Sequence, residues 1–432
     1  MYKSPMVDRK PATRPARQEL GELYAGVRAA TLRLLEPLSP EDAVVQTMPD
    51  VSPTKWHLAH TTWFFEAFVL KRALPTYRAI DERYGYLFNS YYNAVGEQFP
   101  RHRRGLLSRP TLKEVVAYRE HVDRSMQRVL GDAPDALFED VRFTLEVGLN
   151  HEEQHQELIL TDIKHVLSTN PLEPPYREAS PSAPGRAIAL GWLQNQGGVV
   201  EIGHGGDDFA FDNEKPLHPE YLSPFSLANR LVTAGEYLEF VEDRGYERPT
   251  LWLSDGWALC KREGWRAPLY WGKTDGEYIL ATLAGKRALD PREPVCHVSF
   301  YEADAFATWA GARLPRESEW EIVARTAGAQ GPGNYVESGA LHPRALSSEP
   351  SADGAAQLFG DVWEWTTSPY VAYPGYRPFE GALGEYNGKF MCNQLVLRGG
   401  SCFTPRRHMR STYRNFFPPE ARWQMSGIRL AR

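Results

Sequence analysis

Residues 149–160 read LNHEEQHQELIL. On a helix, His151 and His155 stand four apart and project from one face, so their imidazoles can share one ion. Such a pair binds metal only in the right context. Here Leu149, Leu158 and Leu160 flank it, which places it on a helix that packs into an interior. The segment WHLAH offers a third imidazole, with His57 or His60 able to point at the same core. Two histidines from one helix and one from another leave coordination positions open, which suits catalysis more than structural metal binding. Imidazole accepts zinc, iron, nickel and copper, so the histidines do not name the metal. Glu157 turns partly away from the histidine face and reads as a supporting carboxylate. Gln154 is placed to offer a neutral hydrogen-bonding group to a substrate.

These side chains need helices to hold them. Residues 19–36 set Leu20, Leu23, Val27, Ala30, Leu34 and Leu35 near a 3.6-residue period. A second helix is predicted from Pro53 through residue 74, since proline is tolerated at a first helical position. A third starts near Thr111, with Val115, Tyr118, Val122, Met126 and Val129 as its apolar stripe. A fourth runs from about Pro134 to Leu167. Four helices of this kind predict a bundle, and bundles often carry metal sites in their cores.

The remainder has another composition. Residues 1–187 hold 8 of the 35 glycines and 2 of the 12 tryptophans. The rest therefore reads as turns and irregular backbone. Strand-like pieces occur at 199–203 and 395–400, helical pieces at 233–245 and 299–311, and most of what is left reads as loop. Five prolines in residues 171–184 predict an extended connector. The expected organisation is α+β: a helix bundle over 15–170, a proline-rich linker over 171–187 and a second domain over 188–432.

Composition narrows the function. The net charge of −6 is poor for non-specific nucleic-acid binding, which needs clustered positive charge. Four cysteines, none in a C-x-x-C pair, exclude a disulfide scaffold and a cysteine-rich zinc site. The first twenty residues lack the apolar stretch of a signal peptide, and no apolar run is long enough to span a membrane. A cytoplasmic enzyme is expected, a monomer or small homo-oligomer without nucleic-acid or membrane partners.

LAH at 58–60 with HEEQHQE at 151–157 resembles the H…H-x-x-x-H-x-E pattern of DinB-like metal-binding bundles. The stretches beginning NEKPLHPEYL (213), PVCHVSF (294), GDVWEW (360) and VLRGGSCF (396) resemble, in order, the FGE-sulfatase domain, with its C-type-lectin-like fold. A DinB-like four-helix bundle fused to that domain is similar to the EgtB-type sulfoxide synthases of ergothioneine biosynthesis, in the branch that uses free cysteine. The resemblance covers roughly residues 15–432.

It implies Fe(II) held by His60, His151 and His155. The substrates implied are Nα-trimethylhistidine (hercynine), cysteine and O2, and the product is hercynylcysteine sulfoxide. Gln154 and Asn415 would contact hercynine, while Arg101 and Arg104 would hold the donor carboxylate in guanidinium forks. Phe416 and Phe417 follow Asn415, where one branch has an acid at the second position. Aromatic faces there suit a quaternary ammonium. In one branch a tyrosine after a P-G-[FY] turn supplies a proton beside the metal. Here Pro374-Gly375-Tyr376 is followed by RPFEGALGE, without a tyrosine. Tyr91 and Tyr92 are expected to take that role, with Tyr92 preferred and Tyr386 as fallback. Structural Ca2+ is a further implication of the FGE-type fold.

Other readings remain, some open and some disfavoured by specific features. γ-Glutamylcysteine could replace cysteine, and an ovothiol-type synthase would use histidine, although those usually carry a methyltransferase domain that no segment here resembles. A selenium-inserting relative shares the same features. A zinc-dependent DinB-like thiol transferase would need neither O2 nor the second domain. Formylglycine generation needs a close cysteine pair, whereas RSTYRNFF has none. A ligand-binding module would leave three histidines unexplained.

Overall fold

Helix α1 (Arg17–Arg33) buries Leu20, Tyr24 and Val27 along one face in the computed structural model, which describes residues 16–178, 185–327, 333–351 and 354–432. Helix α2 (Thr54–Phe65) follows Pro53 and is buried on every side. The expected unbroken helix to residue 74 is corrected here. The backbone widens into a π-helical turn at Glu66–Leu70 and closes with α3 (Lys71–Ala73). Val69 and Leu70 stay buried through that turn, and Glu66 accepts the Tyr77 hydroxyl at 2.6 Å. A short α4 (Tyr84–Phe88) precedes α5 (Leu112–Asp132), whose start is fixed by a capping box between Thr111 and Glu114. Helix α6 (Asp135–Thr169) runs for 35 residues.

The bundle packs α2 against α5 and α6, with α1 beside α5 and α6. Gly148 sets the closest approach. A Cβ there would lie 2.6 Å from a Phe65 ring carbon and 2.9 Å from one of Phe64. The bare backbone lets α2 and α6 meet just before His151. Glu152 anchors the other side of α6. It accepts from Arg28 at 2.9 Å and Thr31 at 2.6 Å, and it pairs with Arg119. All four side chains are buried.

The second half is built from small sheets and short helices. Strand β1 (Trp192–Asn195) pairs with β4 (Phe225–Ala228), and β2 (Gly198–Ile202) pairs with β3 (His218–Leu222), both antiparallel. Helices α7 (Ala234–Glu242) and α9 (Phe300–Trp309) occupy the two expected helical stretches, each opened by a capping box. Helix α8 (Ser254–Glu263), the sheet of β5 (Trp271–Thr274), β6 (Glu277–Thr282) and β7 (Gly285–Ala288), and helix α10 (Glu317–Ala327) lie where loop was expected. A four-stranded sheet of order β10-β9-β8-β11 closes the fold: β8 (Trp363–Pro369), β9 (Leu395–Arg398), β10 (Asn415–Phe417) and β11 (Ser426–Gly427).

The connector is pinned at one point. The Tyr176 hydroxyl donates to the Leu34 carbonyl at 2.7 Å, and its backbone N–H donates to Leu283 at 2.8 Å. Residues 179–184 of the expected linker lie outside the described residues. Buried apolar side chains of both halves join in one cluster, so the interface is continuous with the core. Among the described residues no helix is long and apolar enough to cross a membrane.

Candidate metal centre and substrate cavity

Helices α2 and α6 bring His60, His151 and His155 together, all buried, with one ring nitrogen of each within 4.8 Å of the others. His60 Nε2 lies 3.1 Å from His151 Nε2. Two imidazoles bound at right angles to one ion, each at about 2.1 Å, have nitrogens about 3 Å apart. The spacing therefore fits a shared metal. The His60 Nδ1–H donates to the Phe88 carbonyl at 2.6 Å, which leaves Nε2 with the lone pair. His151 Nδ1 is buried without a hydrogen-bond partner among the described residues.

Burial, and then the neighbouring imidazoles, push His60 and His155 well below the usual histidine range. Burial takes His151 down to about 3. Neutral imidazole is the form that donates to a metal. No carboxylate joins this group among the described residues, so the donor set is uncharged.

Of the two histidines in WHLAH, His60 joins the triad and His57 stands behind it. His57 Nδ1 is 2.8 Å from His155 Nδ1, and its Nε2 is 2.9 Å from an Asp162 carboxylate oxygen. Trp56 stacks flat on His60, with centroids 4.6 Å apart and planes inclined by 11°. Glu157 accepts from Trp363 Nε1 at 2.5 Å and from Thr404 Oγ1 at 2.6 Å, both in the second half. Burial pushes its carboxyl up to about 7.

The triad opens onto a cavity of about 430 Å³ between the halves. Gln154 lines it, held by two phenols. The Tyr386 hydroxyl donates to Gln154 Oε1, and Gln154 Nε2 donates to the Tyr413 hydroxyl at 2.7 Å. The Tyr386 ring sits 5.7 Å from that of His151. Asn415, Phe416 and Phe417 line the cavity from β10. Phe416 stacks on Tyr370 with centroids 3.9 Å apart.

Arg101 and Arg104 reach the same cavity from a 3₁₀ turn at Arg101–Leu106. Arg101 is exposed and donates to the Asp50 carbonyl at 2.5 Å. Arg104 is buried. It donates to Ser52 Oγ at 2.9 Å and Ser90 Oγ at 3.1 Å, and its Nε has no partner among the described residues. Burial, reinforced by Arg101, works strongly against the Arg104 charge. A buried cation without an acidic partner is costly, and an anionic ligand relieves that cost.

The tyrosine pair divides. Tyr91 lines the cavity, and burial raises its phenol well above the usual range. Tyr92 is fully buried behind it, with rings 4.6 Å apart, and packs on Phe68 and Trp63. A second cavity, of about 390 Å³, contains none of these residues. Its Arg230 and Arg292 are already paired with Glu236 and Asp290.

Asp162, Tyr413 and the stacking role of Trp56 were not among the expected site residues. For Asp162 a signal existed. It lies seven positions after His155 and eleven after His151, so all three share one face of α6.

Residues 191–347 and 338–432 match the family described as the sulfatase-modifying factor enzyme 1-like domain, and residues 23–159 match the DinB superfamily. The chain is 31% identical to a hercynine oxygenase of Mycolicibacterium thermoresistibile, over 96% of this chain and 95% of that protein. It is 32% identical to a hercynine oxygenase of Mycolicibacterium smegmatis, over 96% of this chain and 99% of that protein. It is also 28% identical to ergothioneine biosynthesis protein 1 of Schizosaccharomyces pombe, over 52% of this chain and 28% of that protein.

Proposed function

Since the chain belongs to the hercynine oxygenase family and is an oxygenase, we propose that it joins the sulfur of free cysteine to the imidazole of hercynine, giving hercynylcysteine sulfoxide for ergothioneine biosynthesis. The thiol and the imidazole C–H each lose a hydrogen. One atom of O2 ends on sulfur and the other leaves as water. The observation that carries this reading is the meeting of three uncharged imidazoles with an arginine that has no ion-pair partner among the described residues, in one interdomain cavity.

His60, His151 and His155 would hold Fe(II), which when bound supplies the redox chemistry that activates O2. Their neutral donor set adds no negative charge, so an anionic thiolate is well matched to the site. Arg104 receives the donor carboxylate, with Arg101 at the exposed edge. Gln154 is kept in one orientation by Tyr386 and Tyr413 and presents its amide to the hercynine imidazole. Asn415, Phe416 and Phe417 form the opposite wall, whose aromatic faces suit a trimethylammonium group. That wall has no acid at Phe417, so it offers no carboxylate there to the donor's amino group. Tyr91 delivers the proton from the cavity wall, its phenol kept protonated by burial, with Tyr92 packed behind it.

We read the two units as residues 15–170 and 188–432, joined by 171–187. The end of α6 at Thr169 and the start of β1 at Trp192 support those limits.

The test is anaerobic loading with Fe(II), then hercynine, O2 and one donor at a time, with product mass and kcat/KM determined. Cysteine is expected to give a sulfoxide adduct at least about tenfold more efficiently than γ-glutamylcysteine, about the net worth of one hydrogen bond. A preference for γ-glutamylcysteine overturns the donor. Absence of any adduct with either donor overturns the oxidative coupling.

A further inference from the structure

Beside the triad, at the wall of the same cavity, runs a second polar chain. Asp162 Oδ2 accepts the backbone N–H of Ser52 at 2.8 Å and lies 2.9 Å from His57 Nε2. His57 Nδ1 lies 2.8 Å from His155 Nδ1. Ser52, His57, Asp162 and His155 are all buried.

The order of protons along this chain follows from the chemistry of each group. A carboxylate oxygen only accepts, so His57 Nε2 carries the proton that faces Asp162. In the neutral ring, His57 Nδ1 then holds a lone pair. The proton between the two Nδ1 atoms therefore belongs to His155. His155 Nε2 is left with its lone pair, the one nitrogen of that ring still available to face His60 and His151.

The three imidazoles of the triad thus have three different supports. His60 leans on a backbone carbonyl, and His151 Nδ1 has no hydrogen-bond partner among the described residues. Among the described residues, only His155 is hydrogen-bonded toward a carboxylate, through one intervening ring. Outer carboxylates of this kind fix the tautomer and the ring plane of a ligating histidine and raise its basicity.

We propose that His57 and Asp162 are a positioning pair that fixes His155 for metal binding. The proposal rests on reading the triad as a metal site and is independent of the substrates. Without His57, the His155 Nδ1–H loses its acceptor, and the ring can turn to present either nitrogen.

The probe is Co(II) alone, titrated into metal-free protein, with affinity and the visible d–d spectrum as readouts. His57→Phe is expected to weaken Co(II) binding about 10–100-fold and to change the spectrum. His57→Gln returns an amide oxygen as acceptor for His155 and is expected to recover part of that loss. Asp162→Asn keeps the shape but removes the charge, and it is expected to weaken binding by about tenfold. It also serves if His57→Phe fails to fold. Thermal melting of the metal-free variants separates this role from a merely structural one, which would lower the melting temperature and leave affinity intact. A folded His57→Phe or Asp162→Asn variant with the wild-type affinity and spectrum overturns the proposal. If wild-type protein binds no Co(II), or binds it equally after His151→Ala, the triad reading itself fails.

Discussion

The guanidinium of Arg104 lies over the Trp56 ring, 3.3 Å from its centre, and the same indole stacks on His60. A charge suited to a substrate carboxylate is thereby tied, through one aromatic ring, to a candidate metal ligand. Arg104→Gln removes the charge and most of the stack. Losing a buried charge pair costs about 2–5 kcal/mol. The expected result is a fall in kcat/KM for cysteine of about 30-fold or more, carried mainly by KM, with Fe(II) content unchanged. Arg104→Lys is expected to recover little, because an ammonium lacks the planar fork. Steady-state kinetics with metal analysis checks both variants.

Tyr91 and Tyr92 are adjacent in sequence, yet only Tyr91 lines the cavity. General-acid groups typically contribute about 10²–10⁴-fold. Tyr91→Phe is expected to lower the rate of sulfoxide formation by about 100-fold. Tyr92→Phe is expected to act within about tenfold, since that side chain is buried behind Tyr91 and does not line the cavity. Single-turnover mixing with O2 measures the step directly. An unchanged rate in the double Tyr→Phe variant removes the pair from the chemistry and turns attention to Tyr386.

Glu152 links acid stability to the site. Burial alone would raise its carboxyl, but Arg119 and Arg28 outweigh burial and bring it down from 4.5 to about 2. The folded value lies below the unfolded one, so the contribution is present above pH 4.5 and is lost as the pH falls toward 2. Glu152→Gln leaves two buried guanidinium groups without their shared anion, at a cost of about 3–5 kcal/mol at neutral pH. It also flattens the stability profile in that acid window. Urea unfolding of both proteins between pH 2 and pH 7 checks the shape.

Gly148 is a spacing residue. Gly148→Val forces a side chain into the rings of Phe64 and Phe65, and overpacking of this kind costs about 1–3 kcal/mol. The melting temperature is expected to fall by about 2–12 °C. Co(II) affinity is expected to weaken with it, because α2 and α6 carry the ligands between them.

Much of this was legible from residue order. The stripes of α1 and α5, the capping boxes of α5, α7 and α9, and the four-residue spacing on α6 follow from local rules. Other features depend on packing. Both His57 and His60 face α6, and Asp162 separates their roles by engaging one of them. The tyrosines are sorted by Asn89, whose side chain bonds both the N–H and the carbonyl of Tyr92 at 3.1 Å and holds that residue inward. Helix α10 contains Trp320 and Ala324 on a buried face, but surrounding charges hide its period until β8 and β9 cover it. Helix α8 ends at Gly264, which adopts φ +66, a stop signal that is readable only once the helix is recognised.

The central proposal is oxidative carbon–sulfur coupling at the three-histidine site, and isotopic oxygen tests it most directly. Fe(II)-loaded protein is mixed with hercynine, cysteine and ¹⁸O2, and the product mass is read. The expected product is a sulfoxide carrying one ¹⁸O, absent without iron and absent from His151→Ala. An unlabelled adduct, or one formed equally well without O2 or with zinc in place of iron, would contradict the proposal and indicate simple thiol transfer.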